Sequence, residues 1–454
     1  MSIVQVQVDI QQNPEPIIYA NIATINRLNL PLNKPIPLLL GQKSIEVRVF
    51  YSSNKGNLIR IPAELATQVH IPNGIQLHGR YDQEKGLIFG PVFGVLVQTI
   101  DPKLPQTPFG KLTDFLYEIA TLARNQGILF YVFTLSDIYQ QTQSIKGWML
   151  HGNQWEPKIL PFPNVIYNRI SSRHHEKQQQ GKIAELLKQV VLFNDHFLNK
   201  WQVHEMLEKT TIQGNMPATK YYKGNHTIKE MLSTYPTIYL KPTNGSLGRG
   251  IIKIERLVNQ YIVQYSKING ASTYNFKSLN KLLKHLYPRL RSEPYLVQEG
   301  LNLLQINHRP IDFRILVQKN GQGLWSVTSM VARIANDQQF VSNLARGGTQ
   351  ANIIETIHTA SPELSKKITK EHFRILALLV AKNLEESKSG HFAELGIDLG
   401  LDTKGKLWLL EVNSKPSKTE ETTLTGPRPS VNRLIQYVRF LSGFPQNTKR
   451  RRRK

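Results

Sequence analysis

The clearest chemical signal in the sequence is a pair of apolar segments that carry acidic and amide side chains. Asp398 lies in the first segment, Glu411 and Asn413 lie in the second, and the turn-forming residues 402–405 separate them. Side chains two residues apart share one face of a strand, so a hairpin would place Asp398 opposite Glu411 and Asn413. Oxygen ligands of this kind suit Mg²⁺. The alternative is a hairpin with solvated acids, but the apolar neighbours favour buried carboxylates that a metal ion neutralises.

A second signal is a glycine-rich loop that follows an apolar strand ending at Lys241 and Pro242. The loop contains Gly245, Ser246, Gly248 and Gly250. Glycines let backbone N–H groups approach phosphate oxygens closely, and a lysine at the strand end supplies balancing positive charge. The alternative is a glycine-rich hairpin without a ligand. A strand on both sides of the loop excludes a Walker loop and a dinucleotide fingerprint, whose glycines open a helix.

Arginines suited to an anionic ligand lie between these two signals. Asp312 and Arg314 share one strand face, so the carboxylate can orient the guanidinium toward a phosphate. As a lone pair, the same two residues are also compatible with a structural ion pair. Arg333 and the segment 342–348 add further donors.

The elements that must position these residues change in type along the chain. Residues 1–100 alternate apolar and polar residues between turn signals, which predicts short strands, and the proline-rich segment 101–108 predicts a linker. Apolar spacing then predicts helices over residues 111–125, 182–192, 200–208, 362–388 and 431–441. The longest of these has Ser361 as its predicted N-cap.

One polar segment contains a possible metal motif, His174, His175 and Glu176. Adjacent side chains on a helix or strand point apart, and no third ligand is evident. We therefore interpret this segment as solvated surface.

Composition narrows the classes of function. The chain has 454 residues, no cysteine and a formal charge of +24, so disulfides, zinc-thiolate sites and thiol nucleophiles are excluded and anionic partners are favoured. The N-terminus has no signal-peptide pattern and no run of ~18 apolar residues occurs, so we expect a cytoplasmic protein without a membrane contact. The basic run 449–454 predicts a disordered tail, either solvated or in contact with a polyanion.

The order of these motifs between residues 193 and 417 resembles the ATP-grasp superfamily, specifically the endospore coat-associated proteins of the YheC and YheD type. The spacing between Asp398 and Glu411 also matches that resemblance. It implies an α+β fold in which two lobes hold ATP between them, preceded by an α/β pre-ATP-grasp unit and a β-rich N-terminal domain. The implied boundaries are 1–105 for the β-rich domain, 106–195 for the pre-ATP-grasp domain, 196–443 for the ATP-grasp domain and 444–454 for the tail.

The resemblance also implies roles for individual residues. Asp398, Glu411 and Asn413 would hold one or two Mg²⁺ ions, and Arg314 would stabilise the transferred γ-phosphoryl group. The ATP contacts would come from Lys200, Lys241, Gly245, Ser246, Gly248, Gly250, Gln298, Glu299, Leu301 and Leu410. Lys241 and Arg333 complete the expected catalytic set.

The implied activity is ATP-dependent ligation of a carboxylate to an amine through an acyl-phosphate. Two alternatives are an ATP-dependent kinase or binding protein on the same fold, and a basic structural protein of the spore or nucleoid. The complete phosphate and metal motifs argue against a purely structural role. The sequence identifies neither the carboxylate nor the amine, because substrate-reading loops have no portable pattern.

Overall fold

A computed structural model describes residues 3–12, 15–53, 56–245, 248–267, 270–336, 348–418 and 426–445. The first unit is a closed barrel with strand order β1-β5-β2-β4-β3-β7-β6. Its elements are β1 Val4–Gln11, β2 Ile17–Ala20, α1 Ile22–Leu28, β3 Pro35–Leu40, β4 Lys43–Tyr51, β5 Leu58–Pro62, α2 Ala63–Val69, β6 Gln76–Asp82 and β7 Gly86–Gly90. Alternate residues of β1, beginning with Val4, point into the barrel, and this two-residue period confirms the predicted β-rich domain.

The second unit is a sheet ordered β10-β11-β9-β8-β13-β14, with β12 paired to β11. Its elements are β8 Val92–Leu96, α3 Thr113–Asn125, β9 Leu129–Phe133, β10 Ile138–Tyr139, β11 Ser144–His151, β12 Gln154–Pro161, β13 Val165–Asn168, α4 Arg173–Gln178, α5 Gln180–Gln189 and β14 Val191–Phe193. The change of sheet falls between Gly90 and Val92, whereas the predicted boundary was residue 105. The reason is that β8 is buried throughout and pairs in parallel with β9 and β13.

The third unit is the first of the two predicted lobes. Its sheet has the strand order β15-β20-β16-β17-β18-β19. Its elements are β15 Thr219–Tyr221, α7 Asn225–Thr234, β16 Thr237–Pro242, β17 Ile252–Arg256, β18 Tyr261–Lys267, β19 Gly270–Phe276, α8 Leu279–Leu290 and β20 Tyr295–Glu299, and α6 Lys200–Leu207 precedes them in the chain. Apolar residues of α7 and α8 form one buried cluster with residues of β16, β17 and β20. The glycine-rich loop therefore joins two strands of a packed sheet.

The fourth unit is the second lobe, a sheet ordered β24-β23-β22-β25-β26, with β21 paired to β22. Its elements are β21 Gln305–Ile306, β22 Arg309–Lys319, β23 Trp325–Ile334, β24 Thr349–Ala351, α9 Ile353–Ala360, α10 Pro362–Ser365, α11 Lys370–Glu386, β25 Glu394–Leu401, β26 Leu407–Asn413 and α12 Pro429–Leu441. Apolar residues of α6, α9 and α11 pack with the sheet in one cluster. Helix α12 contacts both α3 and β22, so it joins the second unit to this lobe. The two predicted α+β lobes are confirmed.

The predicted single helix over residues 362–388 is wrong, because the structure has α10 and α11 with a break between them. Thr369 and His372 form a capping box, in which His372 Nδ1 accepts the backbone N–H of Thr369 at 3.1 Å and is hydrogen-bonded to Thr369 Oγ1 at 3.0 Å, so a new helix begins there. Ser361 is the N-cap residue of α10, but its side chain makes no capping hydrogen bond. Helix α11 has 17 residues, and in the described ranges we find no helix long and apolar enough to cross a membrane.

This break generates a stability prediction. Replacing Thr369 by Ala removes the capping hydrogen bond of α11 and should lower the free energy of unfolding by about 0.5–2 kcal/mol. The matched control, Ser361→Ala, removes a side chain without a capping bond and should leave that energy nearly unchanged. Urea denaturation followed by circular dichroism measures both changes. Equal effects of the two substitutions would contradict the assignment of Thr369 as the cap.

Candidate functional site

The hairpin of β25 and β26 brings the predicted metal ligands to one place. Asp398 pairs with Glu411 in register, and Asn413 pairs with Gly396 two positions further along. The turn that sets this register is held by the Asp402 side chain, whose Oδ1 accepts the backbone N–H groups of residues 404 and 406. A two-residue period therefore places Glu411 and Asn413 on the strand face that Asp398 shares.

Two carboxylates and two guanidinium groups form a buried cluster beside this hairpin. Arg333 donates from Nε to Asp312 Oδ1 at 2.5 Å and from an η-nitrogen to Asp312 Oδ2 at 2.7 Å. Arg314 donates from Nε to Asp398 Oδ1, and its second donor lies 3.1 Å from Asp398 Oδ2. Arg333 also approaches Asp398 Oδ2 at 3.0 Å. The prediction that Asp312 orients Arg314 is therefore wrong, because each arginine binds the carboxylate that faces it across the strands.

The cluster shifts the pKa values of its members. Burial alone would raise the pKa of Asp398, but Arg314 and Arg333 lower it below its usual value. Burial alone would lower the pKa of Arg333, but Asp398 and Asp312 together raise it. Asp398 and Arg333 are therefore both charged at neutral pH.

Lys241, which lies on β16 of the first lobe, is the next predicted site residue. Its Nζ donates to Gln298 Oε1 at 2.6 Å, and Gln298 donates in turn to Thr219 Oγ1 at 2.9 Å. Burial lowers the pKa of Lys241 to about 8, although Glu411 and Asp398 oppose this shift. The ammonium group is thus held at a fixed point and is poorly solvated, which is a suitable state for binding an anion.

Lys200, at the start of α6, connects the two lobes. Its Nζ donates to the carbonyl oxygen of Gly245 and lies 3.0 Å from Glu411 Oε1. Its backbone N–H donates to Thr243 O at 3.1 Å. One ammonium group therefore contacts both the glycine-rich loop and a predicted metal ligand.

Backbone conformation and packing explain why glycine occupies two positions of the loop. Gly248 and Gly250 have positive φ angles of 67° and 73°, which favour glycine. A Cβ atom on Gly250 would also lie 2.8 Å from Pro242 Cγ, so that position has no room for a side chain. Ser246 lies outside the described residues.

A cavity of about 700 Å³ between the lobes collects most of the predicted site residues. Those that line it are Lys241, Gly248, Gln298, Glu299, Leu301, Arg314, Arg333, Asp398, Leu410, Glu411 and Asn413. Lys200, Gly245 and Gly250 do not line this cavity, although Lys200 contacts Glu411, which does. A volume of this size is typical of small-molecule sites.

Two backbone N–H groups in the segment 298–301, which contains three of the predicted ATP contacts, already have hydrogen-bond partners. The N–H of Glu299 donates to Ala218 O at 2.9 Å, and the N–H of Gly300 donates to Thr237 O at 2.8 Å. Any ligand contact from this segment must therefore use other atoms, such as the side chains of Leu301 and Gln298.

One end of the cavity is formed by residues that the sequence analysis did not select. They are Ser171, Ser172, Arg173, His174, Phe197, Ser414, Lys415, Pro416 and Ser417. The interpretation of residues 174–176 as solvated surface is wrong for Glu176, which is buried, whereas His174 is exposed and lines the cavity. Glu176 Oε1 binds Lys415 Nζ, and its other oxygen accepts the N–H of Phe197 at 2.9 Å. In the sequence, the only signal for this pair was an acidic residue in a polar segment. Its partner, Lys415, lies far away in the chain.

Buried hydrogen bonds fix the loop that follows β26. Asn194 donates to Glu394 O and Ser414 O, and Glu394 accepts hydrogen bonds from Tyr167 at 2.7 Å and from Gln318 at 2.7 Å. Lys418 also donates to Glu394. Side chains of the second unit and of the second lobe thus hold residues 414–418 at the edge of the cavity.

The donor set near the hairpin fits a hard divalent cation. Asp398 and Glu411 supply carboxylate oxygens and Asn413 supplies an amide oxygen, and Mg²⁺ prefers such oxygen ligands. Each carboxylate can accept about four hydrogen bonds or metal contacts, so the bonds from Arg314 and Arg333 to Asp398 and from Lys200 to Glu411 leave room for an ion. Across the described ranges, no three acidic or histidine side chains gather as a cation site. A cation here would therefore depend on Asn413 or on ligand oxygens as well.

Comparisons with known proteins agree with the resemblance seen in the sequence. Residues 189–441, more than half of the chain, match the family described as YheC/D like ATP-grasp. The chain is 28% identical over 393 residues to the endospore coat-associated protein YheD of Bacillus subtilis strain 168, a match that covers 84% of each protein. It is 26% identical over 312 residues to YheC of the same strain, which covers 67% of this chain and 85% of YheC.

A comparison with solved structures gives a more distant similarity. D-alanyl-alanine synthetase A from Vibrio cholerae O1 biovar eltor strain N16961 aligns over 78% of this chain and 99% of that chain, with 12% sequence identity and a TM-score of 0.47. The family match covers both lobes of the cleft described above, and on that ground the chain belongs to the YheC/D-like ATP-grasp family.

Proposed function

We propose that this protein is an ATP-dependent, Mg²⁺-dependent ligase that activates a carboxylate for attack by an amine. The observation that carries the proposal is the convergence of Lys241, Arg314, Asp398 and Glu411 on a single cavity between two lobes. Phosphoryl transfer needs positioning and charge neutralisation more than a protein nucleophile. This set of side chains meets both requirements.

The nucleotide would lie across the cavity from the first lobe to the second. Leu301 and Leu410 line the cavity near the Gln298 side chain and would pack on the adenine ring. Lys241, held by Gln298, would bind phosphate oxygens. Lys200 would release Glu411 and bind the same phosphates. The loop 245–250 would lie over the phosphates.

The metal site would consist of Asp398, Glu411 and Asn413, which together with phosphate oxygens would hold one or two Mg²⁺ ions. The bound ion would neutralise charge that develops on the phosphates. Arg314 and Arg333, held by Asp398 and Asp312, would donate to the transferred γ-phosphoryl group.

The reaction would proceed in two steps. A carboxylate oxygen of the substrate attacks the γ-phosphorus, the bond between that phosphorus and the β–γ bridging oxygen breaks, and ADP leaves. The amine then attacks the carbonyl carbon of the acyl-phosphate, the C–O bond to the phosphoryl group breaks, phosphate leaves and the amine loses a proton. The protein's part is to orient these groups and to exclude water.

We also propose a cellular location for this protein. The two Bacillus subtilis relatives carry the name endospore coat-associated protein. We place this chain in the cytoplasm of a sporulating cell, with the basic run 449–454 in contact with a polyanion or with the coat. That run lies outside the described residues. A kinase on the same fold would also transfer the γ-phosphoryl group, but to another acceptor and without the second step.

The metal assignment gives a direct prediction. Replacing Glu411 by Gln removes one charge from the metal site and should weaken Mg·ATP binding at least about tenfold, or ~1.4 kcal/mol. Isothermal titration calorimetry measures this affinity, with Glu363→Gln on the exposed face of α10 as the matched control. Unchanged Mg·ATP affinity in the Glu411 variant would show that the ion binds elsewhere.

The pKa of Lys241 gives a second prediction. That pKa is about 8, so the fraction of charged Lys241 falls as the pH rises through 8, and the affinity for Mg·ADP should fall with it. Lys241→Arg keeps its charge and should remove this pH dependence. Lys241→Met should weaken binding about tenfold or more at pH 7.

Titrations of Mg·ADP between pH 7 and pH 9 provide the measurement. Lys229→Met, a substitution on the exposed face of α7, is the control for loss of a lysine charge. An affinity in the Lys241→Met protein equal to that of the wild type would rule out Lys241 as a phosphate ligand.

A further inference from the structure

Arg173 is a cation whose charge no acidic side chain neutralises directly. Its guanidinium lines the cavity and lies over the Phe197 ring, with 4.8 Å between the guanidinium carbon and the ring centroid. Among the residues that the structure describes, no carboxylate oxygen lies within 4.0 Å of it. Burial lowers the pKa of Arg173, and the charges of Glu411 and Glu176 oppose this shift without cancelling it. The guanidinium is therefore partly desolvated, and it has no ion-pair partner in the described part of the chain.

The ammonium group of Lys415 also lies over the Phe197 ring. Its Nζ is 4.5 Å from the Phe197 centroid and donates to Ile170 O at 3.3 Å and to Glu176. Burial lowers the pKa of Lys415 to about 8, and Glu176 opposes this shift. Lys415 is therefore paired with Glu176, whereas Arg173 has no carboxylate partner among the described residues.

Hydrogen bonds fix the groups that surround Lys415. Glu176 accepts Asn168 Nδ2 at 2.9 Å and the N–H of Phe197 at 2.9 Å, so the carboxylate that holds Lys415 is itself fixed. Arg169 donates to Pro416 O at 3.0 Å and thereby holds the backbone beside Lys415. Preorganised donors lose little conformational freedom when they bind an anion.

This wall of the cavity includes residues from a different unit than the predicted nucleotide contacts do. The nucleotide side is lined by β16, β20 and β26, whereas Ser171, Ser172, Arg173 and His174 come from the second unit. Glu411, a predicted metal ligand, lines the same cavity as Lys241 and Arg173. A substrate whose reacting carboxylate meets the γ-phosphate would therefore extend toward Arg173.

We propose that Arg173 and Lys415 bind a second anionic group of the acid substrate, either a carboxylate or a phosphate, while its reacting carboxylate lies beside Arg314. This inference rests on the proposed function and specifies the substrate class, an acid with at least two anionic groups. The hydroxyl group of Ser172, whose oxygen accepts the N–H of His175 at 3.3 Å, also lines the cavity and is an additional donor. A guanidinium binds a carboxylate or a phosphate through two parallel hydrogen bonds, so an acid with a neutral tail would lose those bonds.

The test uses the full chain saturated with Mg·ADP and two matched pairs of probes. L-glutamate is compared with L-glutamine, and O-phospho-L-serine with L-serine, by isothermal titration calorimetry. We expect at least one anionic probe to bind about tenfold or more tightly than its neutral counterpart. Arg173→Gln should abolish that difference, and Arg173→Lys should retain part of it. The anionic probe that binds identifies the group as a carboxylate or a phosphate.

Lys177→Gln is the control, because it removes one positive charge from the exposed face of the same helix and should leave the difference intact. Equal binding of the anionic and neutral probes, or no binding of either anionic probe, would overturn the inference. An equal loss in the Arg173 and Lys177 variants would also overturn it, because it would indicate general charge attraction. Failure of the wild-type protein to bind Mg·ADP would instead overturn the proposed function.

Discussion

The site depends on the balance of charge among Asp312, Arg333, Asp398 and Arg314. Transfer of any one of these groups from water to the protein interior costs several kcal/mol unless a partner compensates its charge. The antiparallel pairing of β22 with β23 and β25 supplies each partner directly opposite. The register of three strands therefore fixes both the neutral total charge of the cluster and the direction of its donors.

The fold holds the cluster and the rest of the cavity in one frame. Glu394 begins β25, and its buried carboxylate binds side chains of β13, β22 and the loop after β26. Because β13 belongs to the second unit, this network connects that unit to the second lobe. The connection explains why residues 171–174 and 414–417 form one wall of the cavity although they lie on different units.

The sequence predicted the parts of the site that depend on local rules. The strand period and the turn at Asp402 were enough to place Asp398 opposite Glu411, and the order of motifs was enough to predict the two lobes. Contacts between distant residues were not predictable in this way. Arg314 and Asp398 are 84 positions apart, and Lys415 and Glu176 are 239 apart, so no periodicity relates them. The break before α11 was also missed, because the capping bond at Thr369 competes locally with a continuous apolar stripe.

We propose that Mg²⁺ and a nucleotide bind together in the cavity between the lobes, and a crystal structure of the protein with Mg·ADP would test this binding. We expect Mg²⁺ at about 2.0–2.1 Å from oxygens of Asp398, Glu411 or Asn413, with the phosphates beside Lys241. A nucleotide bound outside this cavity, or a metal ion that none of these three side chains contacts, would show that the proposed site is wrong.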